Sequence, residues 1–262
     1  MTEDTPLDLA HAAMALAPED VSARLKYFER LADSELFLLL TEEASGEVLS
    51  PETFELSDGT FILAFDTEDR LAAFVGKPAP YAALSGRVIA GILQGQGVGI
   101  ALNPDVAPSS NIIDPDAVAW LADTVAATPE AAEARPESFL PPSVPEVLVS
   151  SLDQKLASAS GLAHSAYLAG VNYDSGAKGH LLGVVDAVSG AEGAIAKAVN
   201  EALTFSGLEA AALDVTFLKS QDTSAAALAR VGLRFDIPQP EPVQEYTPKA
   251  PGMDPDEPPK LR

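Results

Sequence analysis

HSAYLAGVNYDSGAKGHLLGVVDAV, residues 164–188, sets the reading of the second half of this chain. Two largely apolar runs, His164–Tyr173 and His180–Val188, flank a segment of turn-forming residues, Asp174–Gly179 (DSGAKG). Apolar runs of strand length on either side of such a segment predict a β-hairpin. Working outward, Val144–Ser158 predicts a helix, and Ala191–Ser206 another, with Ile195, Val199 and Leu203 on one face. Leu213–Leu218 predicts a strand and Thr223–Val231 a last helix, giving the order α-β-β-α-β-α.

The first half reads in the same order. After a short helix near Leu7–Leu16, Pro18 precedes a helix begun by Glu19-Asp20, with Val21, Leu25, Phe28 and Leu31 at helical spacing. Glu35–Thr41 (ELFLLLT) and Phe61–Phe65 predict buried strands, and Ser57-Asp58-Gly59 predicts the turn into the second. Leu71–Phe74 is expected as a third short strand, Tyr81–Gln94 as a helix and Gly97–Leu102 as a strand. Asp114-Pro115 supplies an N-cap and a first-turn proline for a helix to about Val125. The fold class expected is α/β of the α+β type, each half a small mixed or antiparallel sheet with helices on one face.

The chain of 262 residues is long for one core and suits two of about 100–130 residues each. The expected domains are 1–127 and 144–236. Between them lies a Pro/Glu-rich spacer, 128–143, with Pro129, Pro136, Pro141 and Pro142, and after them a disordered, proline-rich acidic tail, 237–262.

Charge narrows the partners. The net charge is −23, and residues 1–127 hold 21 acidic against 6 basic residues. A chain this acidic repels phosphate backbones and anionic bilayers, so neither nucleic acid nor membrane is an expected partner. The field suits a basic protein or cationic ligand on the first domain. No run approaches the ~20 apolar residues that span a bilayer, and a cytoplasmic location is expected.

Chemistry is sparse. Zero cysteine removes disulfides, thiolate nucleophiles and zinc–thiolate sites. Gly95–Gly99 (GQGVG) lacks dinucleotide spacing and reads as a helix end running into a strand. Gly170–Lys178 misses phosphate-loop spacing and reads as a hairpin. His164 and Ser165 fall on opposite faces of a strand, while His180 is expected near His164 or Tyr173 across the hairpin. Trp120, with Val118 and Leu121, reads as core. No catalytic, metal-binding or cofactor-binding residue is assigned, and no cofactor is expected. The candidate contact surface is Asp66, Glu68, Asp69, Tyr81, Arg87 and Asn103: an acidic turn, an exposed Tyr–Arg pair, and an asparagine after a strand.

Arg30–Leu40 (RLADSELFLLL), Ser57–Phe74 (SDGTFILAFDTEDRLAAF), Gly97–Asp105 (GVGIALNPD), Tyr167–Val188 and Ala202–Leu218 together resemble the enhanced serine-sensitivity (SseB) family of bacterial proteins. The resemblance runs from about residue 7 to 237. It implies an N-terminal and a C-terminal SseB-like domain, with Asn103-Pro104 and the Asp58-Gly59 turn as structural hallmarks. It implies no reaction, cofactor or catalytic residue. The expected function is a non-catalytic binding or regulatory role through protein contacts. The alternatives are a small-molecule sensor with a pocket near Tyr81, Arg87 and Asn103, or a metal-assisted hydrolase using Asp66 or Asp69.

Overall fold

A computed structural model describes residues 4–46, 48–57, 59–130, 133–208 and 213–240. The first half runs α1 (Pro6–Leu16), α2 (Val21–Asp33), β1 (Glu35–Leu39), β2 (Thr53–Leu56), β3 (Gly59–Phe65), α3 (Glu68–Val75), β4 (Tyr81–Ser85), α4 (Gly86–Leu93), β5 (Val98–Leu102), β6 (Asn111–Ile113) and α5 (Pro115–Ala126). The second runs β7 (Pro136–Leu140), α6 (Glu146–Ser158), β8 (Ser165–Tyr173), β9 (Lys178–Val185), α7 (Glu192–Phe205), β10 (Leu213–Leu218), α8 (Thr223–Val231) and β11 (Leu233–Asp236). The class is α+β, built on two mixed sheets.

The first sheet has the order β4-β1-β3-β5-β6, with β2 also pairing β3. β1 lies antiparallel to β3 and β4, while β5 lies parallel to β3. The second sheet has the order β10-β9-β8-β11, with β7 also on β8. Here β8 and β9 form the expected antiparallel hairpin, turned at Gly176 with φ 82°, and β10 is parallel to β9.

Both sheets carry helices on both faces, not one. β3 is buried at five successive positions, Phe61 to Phe65, so each of its faces needs cover. Tyr27, Leu31, Ile89, Ala90, Val118 and Leu121, from α2, α4 and α5, close one face over Leu36, Leu38, Ile62 and Ile100. Leu71 of α3 closes the other, over Leu39, Phe61, Leu63 and Phe65. In the second half α6 and α7 cover Leu168, Leu182 and Val184. Leu228 of α8 lies on the opposite face, where a Cβ at Gly183 would come 2.5 Å from it.

Three local expectations are corrected. Leu71–Phe74 is helix, not strand. Thr67 caps α3 by accepting from the Arg70 amide, Glu68 and Asp69 fill its first turn, and Gly76 ends it at φ 68°. The expected helix Tyr81–Gln94 divides at Ser85, because pairing with β1 draws Tyr81–Ser85 into the sheet despite its helix-tolerant residues. The helix then starts at Gly86, whose backbone lies so close to α2 that a Cβ there would sit 2.0 Å from the Leu31 carbonyl oxygen. Finally, the stretch expected as an exposed spacer contains β7, whose residues pair with Gly170–Tyr173 of β8. The extra elements β2, α3, β4 and β6 also break the simple α-β-β-α-β-α order in the first half.

Of the expected tail, Ile237 is buried and the Pro238 carbonyl accepts from the Gly161 amide, so ordered structure continues past residue 236. Residues 241–262 lie outside the described residues, as does Asp58 of the expected turn, which leads into Gly59 at φ 138°.

The two halves meet through α2 and α5 against α7. Phe205, the last residue of α7, is fully buried within the core of the first half. Its ring meets Trp120 edge-on at 6.1 Å, and Trp120 meets Phe28 at 5.3 Å. Trp120 is thus a junction residue, 39% exposed, and not a core residue as expected.

Candidate functional site

The parallel strands β3 and β5 end side by side, and open α/β sheets bind ligands beyond such carboxyl ends. In this chain that position is filled from within. Asp66 follows β3 and Asn103 follows β5, and the Asn103 side chain accepts from the Asp66 amide at 3.1 Å. Asn103 is fully buried at φ 48° and donates to Ser109 Oγ at 2.9 Å. Arg70, one turn into α3, donates from one nitrogen to both Asp66 oxygens, at 2.7 and 2.8 Å. It also grips Asp8 through both terminal nitrogens. Asp8 closes a capping box with Thr5, and the Thr5 hydroxyl donates to Asp66 at 2.6 Å. Burial pushes the Asp8 pKa up, but hydrogen bonds from Arg70, Ser109 and Thr5 outweigh it and hold the carboxyl well below the usual carboxylate range. The Arg70 guanidinium is held above its ordinary value by the two aspartates, against the opposing effect of burial.

Two expected surface residues therefore have a structural position. The Asp66 side chain is 3% exposed and Asn103 is buried, and together they pin α1 and the segment after β5 to the sheet. Asp66 is a poor start for metal-assisted hydrolysis because both its oxygens are taken. Among the described residues, no group of three or more His, Asp or Glu side chains could hold a metal ion.

Arg87 faces the junction, away from any pairing with Tyr81. From α4 it reaches Asp33 at the end of α2, and Glu201 of α7 at 2.9 Å. Lys155 of α6 joins the same carboxylates, at 2.6 Å from Asp33 and 3.1 Å from Glu201. Glu29 is buried and neither of its oxygens has a hydrogen bond; the nearest cations are Lys26 at 3.1 Å and Lys155 at 3.9 Å. Burial lowers the pKa of Arg87, and the bonds to Glu201 and Asp33 reverse that and raise it. The groups line an open cleft of ≈ 720 Å³ between the halves, and their visible work is to hold α2 and α4 against α6 and α7.

Tyr81, Arg87 and Asn103 thus have separate surroundings and do not assemble as one pocket. The remaining expected residues do come together. Tyr81 starts β4 opposite Leu39, and its ring meets Phe37 at 5.6 Å. Phe37 is the cross-strand partner of Phe65, which meets Phe74 of α3 at 5.3 Å. The result is a row of rings along one sheet face, buried at Phe65 and exposed at both ends, Tyr81 at 38% and Phe74 at 40%. The neighbouring Glu68 carboxylate holds the Tyr81 hydroxyl above its ordinary pKa by favouring the protonated form. Asp69 is exposed on the same short helix.

Sequence reasoning missed Phe37 and Phe74, because one lay in an all-apolar run and the other in an expected strand. It also missed Asp8, Asp33, Lys155 and Glu201, whose partners are 46 to 122 positions away. His164 and His180 do not meet across the hairpin, since His180 pairs with Gly170 and its Nε2 accepts from the Ser143 amide at 3.4 Å. In comparisons with protein-family models, curated proteins and solved structures, nothing matched. No helix among the described residues is long and apolar enough to cross a membrane.

Proposed function

We propose that this protein is a non-catalytic, cytoplasmic binding or regulatory protein of the SseB type. It acts through protein contacts and takes a basic partner on the acidic-aromatic face of the first half. The observation that carries this reading is the ring row Phe74–Phe65–Phe37–Tyr81, with exposed ends and Glu68 and Asp69 beside it. Exposed aromatics that keep a fixed geometry anchor interfaces at low entropic cost, and carboxylates beside them select for positive charge. Asp8, Arg70 and Asp66, by contrast, are bound to one another.

The test is affinity capture from native lysate with the full chain and with a triple variant, Glu68→Gln, Asp69→Asn and Tyr81→Ala. A basic partner recovered by the first and lost from the second supports the reading. Its association rate should fall several-fold between about 50 and 300 mM salt, as screening shortens to several Å. A partner indifferent to both the variant and salt sinks it.

A further inference from the structure

A sheet edge with free backbone groups is a template for another strand, and proteins blunt such edges with charge, proline or brevity. Most edges of this chain are blunted in these ways. β10 carries Asp214, β11 carries the ion-paired Arg234 and Asp236, β7 carries Pro136 and Glu137, β2 carries Glu55, and β6 is three residues long. β4, Tyr-Ala-Ala-Leu-Ser, has none of these, and among the described residues it pairs with β1 alone.

The ladder shows which of its backbone groups are free. The Leu40 amide donates to the Pro80 carbonyl at 3.0 Å, and the Gly86 amide donates to the Ser34 carbonyl at 2.9 Å. Both contacts lie on the β1–β4 register, in which Glu35 faces Ser85 and Leu39 faces Tyr81. Antiparallel pairs alternate, so Ala82 and Leu84 also turn their backbone groups toward β1. Tyr81 and Ala83 therefore aim both N–H and C=O outward. Both are exposed, and their side chains share the face of Phe37. Glu35 stands opposite Ser85 at one end of this edge, and Glu68 meets Tyr81 at the other.

We propose that β4 accepts an extended, basic segment of a partner protein as an added strand. Tyr81 and Ala83 supply the backbone pairing, and Glu35, Glu68 and Asp69 select lysine or arginine on the incoming strand. Strand addition of this kind takes its affinity from main-chain bonds and its specificity from alternate side chains. The small Ala83 between Tyr81 and Ser85 leaves room for the apolar stem of a lysine to lie against Phe37, with its ammonium among the carboxylates. This inference rests on the basic-partner reading above and adds the mode of binding.

The probe is a fluorescein-labelled octapeptide of alternating lysine and valine, with a glutamate–valine peptide as its counterpart. The lysine peptide should bind the full chain, the glutamate peptide should not, and binding should slow hydrogen exchange at the Tyr81 and Ala83 amides. Ala83→Pro removes an outward N–H and leaves the pairing with β1 intact, a position where sheets tolerate proline. It should weaken binding at least about tenfold, through lost backbone bonds and a blocked edge. Failure of the lysine peptide to bind, or binding that leaves exchange at Tyr81 and Ala83 unchanged, overturns strand addition without recourse to the variant. Full binding by Ala83→Pro overturns it too. If Glu68→Gln with Asp69→Asn then abolishes binding, the acidic-surface reading survives its failure.

Discussion

The two halves build one arrangement from two chain orders. β4-β1-β3-β5 in the first sheet matches β11-β8-β9-β10 in the second, strand for strand, in position and direction of pairing. α3 packs on β1 and β3 as α8 packs on β8 and β9. Yet the helix and edge strand α3–β4 come before the parallel strand of the first half, whereas α8–β11 follow that of the second. Both units bury an apolar helix on the same kind of face and close the same edge. The comparison teaches that packing, and not chain order, defines the arrangement.

The halves differ in what locks them. The first has a buried ionic knot, Asp8–Arg70–Asp66, and a close α2–α4 contact at Gly86. The second has apolar packing, a Tyr173–Asp214 hydrogen bond of 2.5 Å across β9, and one buried ion pair, Lys155–Glu201, which sits at the junction and not under the sheet end. The largest expected effect tests that difference. Arg70→Met leaves two buried carboxylates without their cation and should cost about 4 kcal/mol. Denaturant unfolding should register the loss, and hydrogen exchange should place it in the first half. Acid should act on the same knot. The folded Asp8 carboxyl titrates below its unfolded counterpart, so its stabilisation is complete above about pH 4 and is lost as pH falls through the depressed folded value. Protection in β3 and α1 should therefore fade in acid before protection in β8 and β9. Equal fading would mean that the knot is not what distinguishes the halves.

Next is Phe205→Ala, expected to cost about 3 kcal/mol, because the ring comes from α7 but is buried in the other half's core. Exchange should rise on both sides of the junction, in α5 as well as α7. A rise confined to the second half would break the view that this side chain couples them.

The smallest effects compare the starts of the two crossover helices. Gly86→Ala drives a Cβ into the Leu31 carbonyl and should cost about 2 kcal/mol. Gly193→Ala at the start of α7 meets nothing within 4 Å and should stabilise by less than about 1 kcal/mol. Thermal melts of the two variants give the contrast directly, and similar losses would mean that α4 is no more tightly seated than α7.

Much of this was legible from local patterns. The hairpin around Asp174–Gly179, the helices at Val21, Pro115, Glu192 and Thr223, and the run of Gly95–Gly99 from a helix end into β5 follow from periodicity, caps and glycines acting over a few residues. Of the candidate surface, Glu68, Asp69 and Tyr81 are exposed, and the fold brings Glu68 of the acidic turn beside Tyr81, which was expected to pair with Arg87. Asp66, Arg87 and Asn103 do not join them, because each is held by residues distant in the chain, Thr5 and Asp8 for the Asp66–Arg70 knot and Glu201 for Arg87.

Residue order alone determined the composition, the acidity of the first half, the lack of cysteine and most helix and strand positions, since these depend on neighbours a few positions apart. Tertiary structure alone decided that Tyr81–Ser85 is a strand, that 136–140 pairs with β8, and that Phe205 belongs to the other half's core. It also decided that the acidic turn is half lock and half surface. Short ambivalent segments take the state that buries them or pairs their backbone, and the partner that settles it lies elsewhere in the chain.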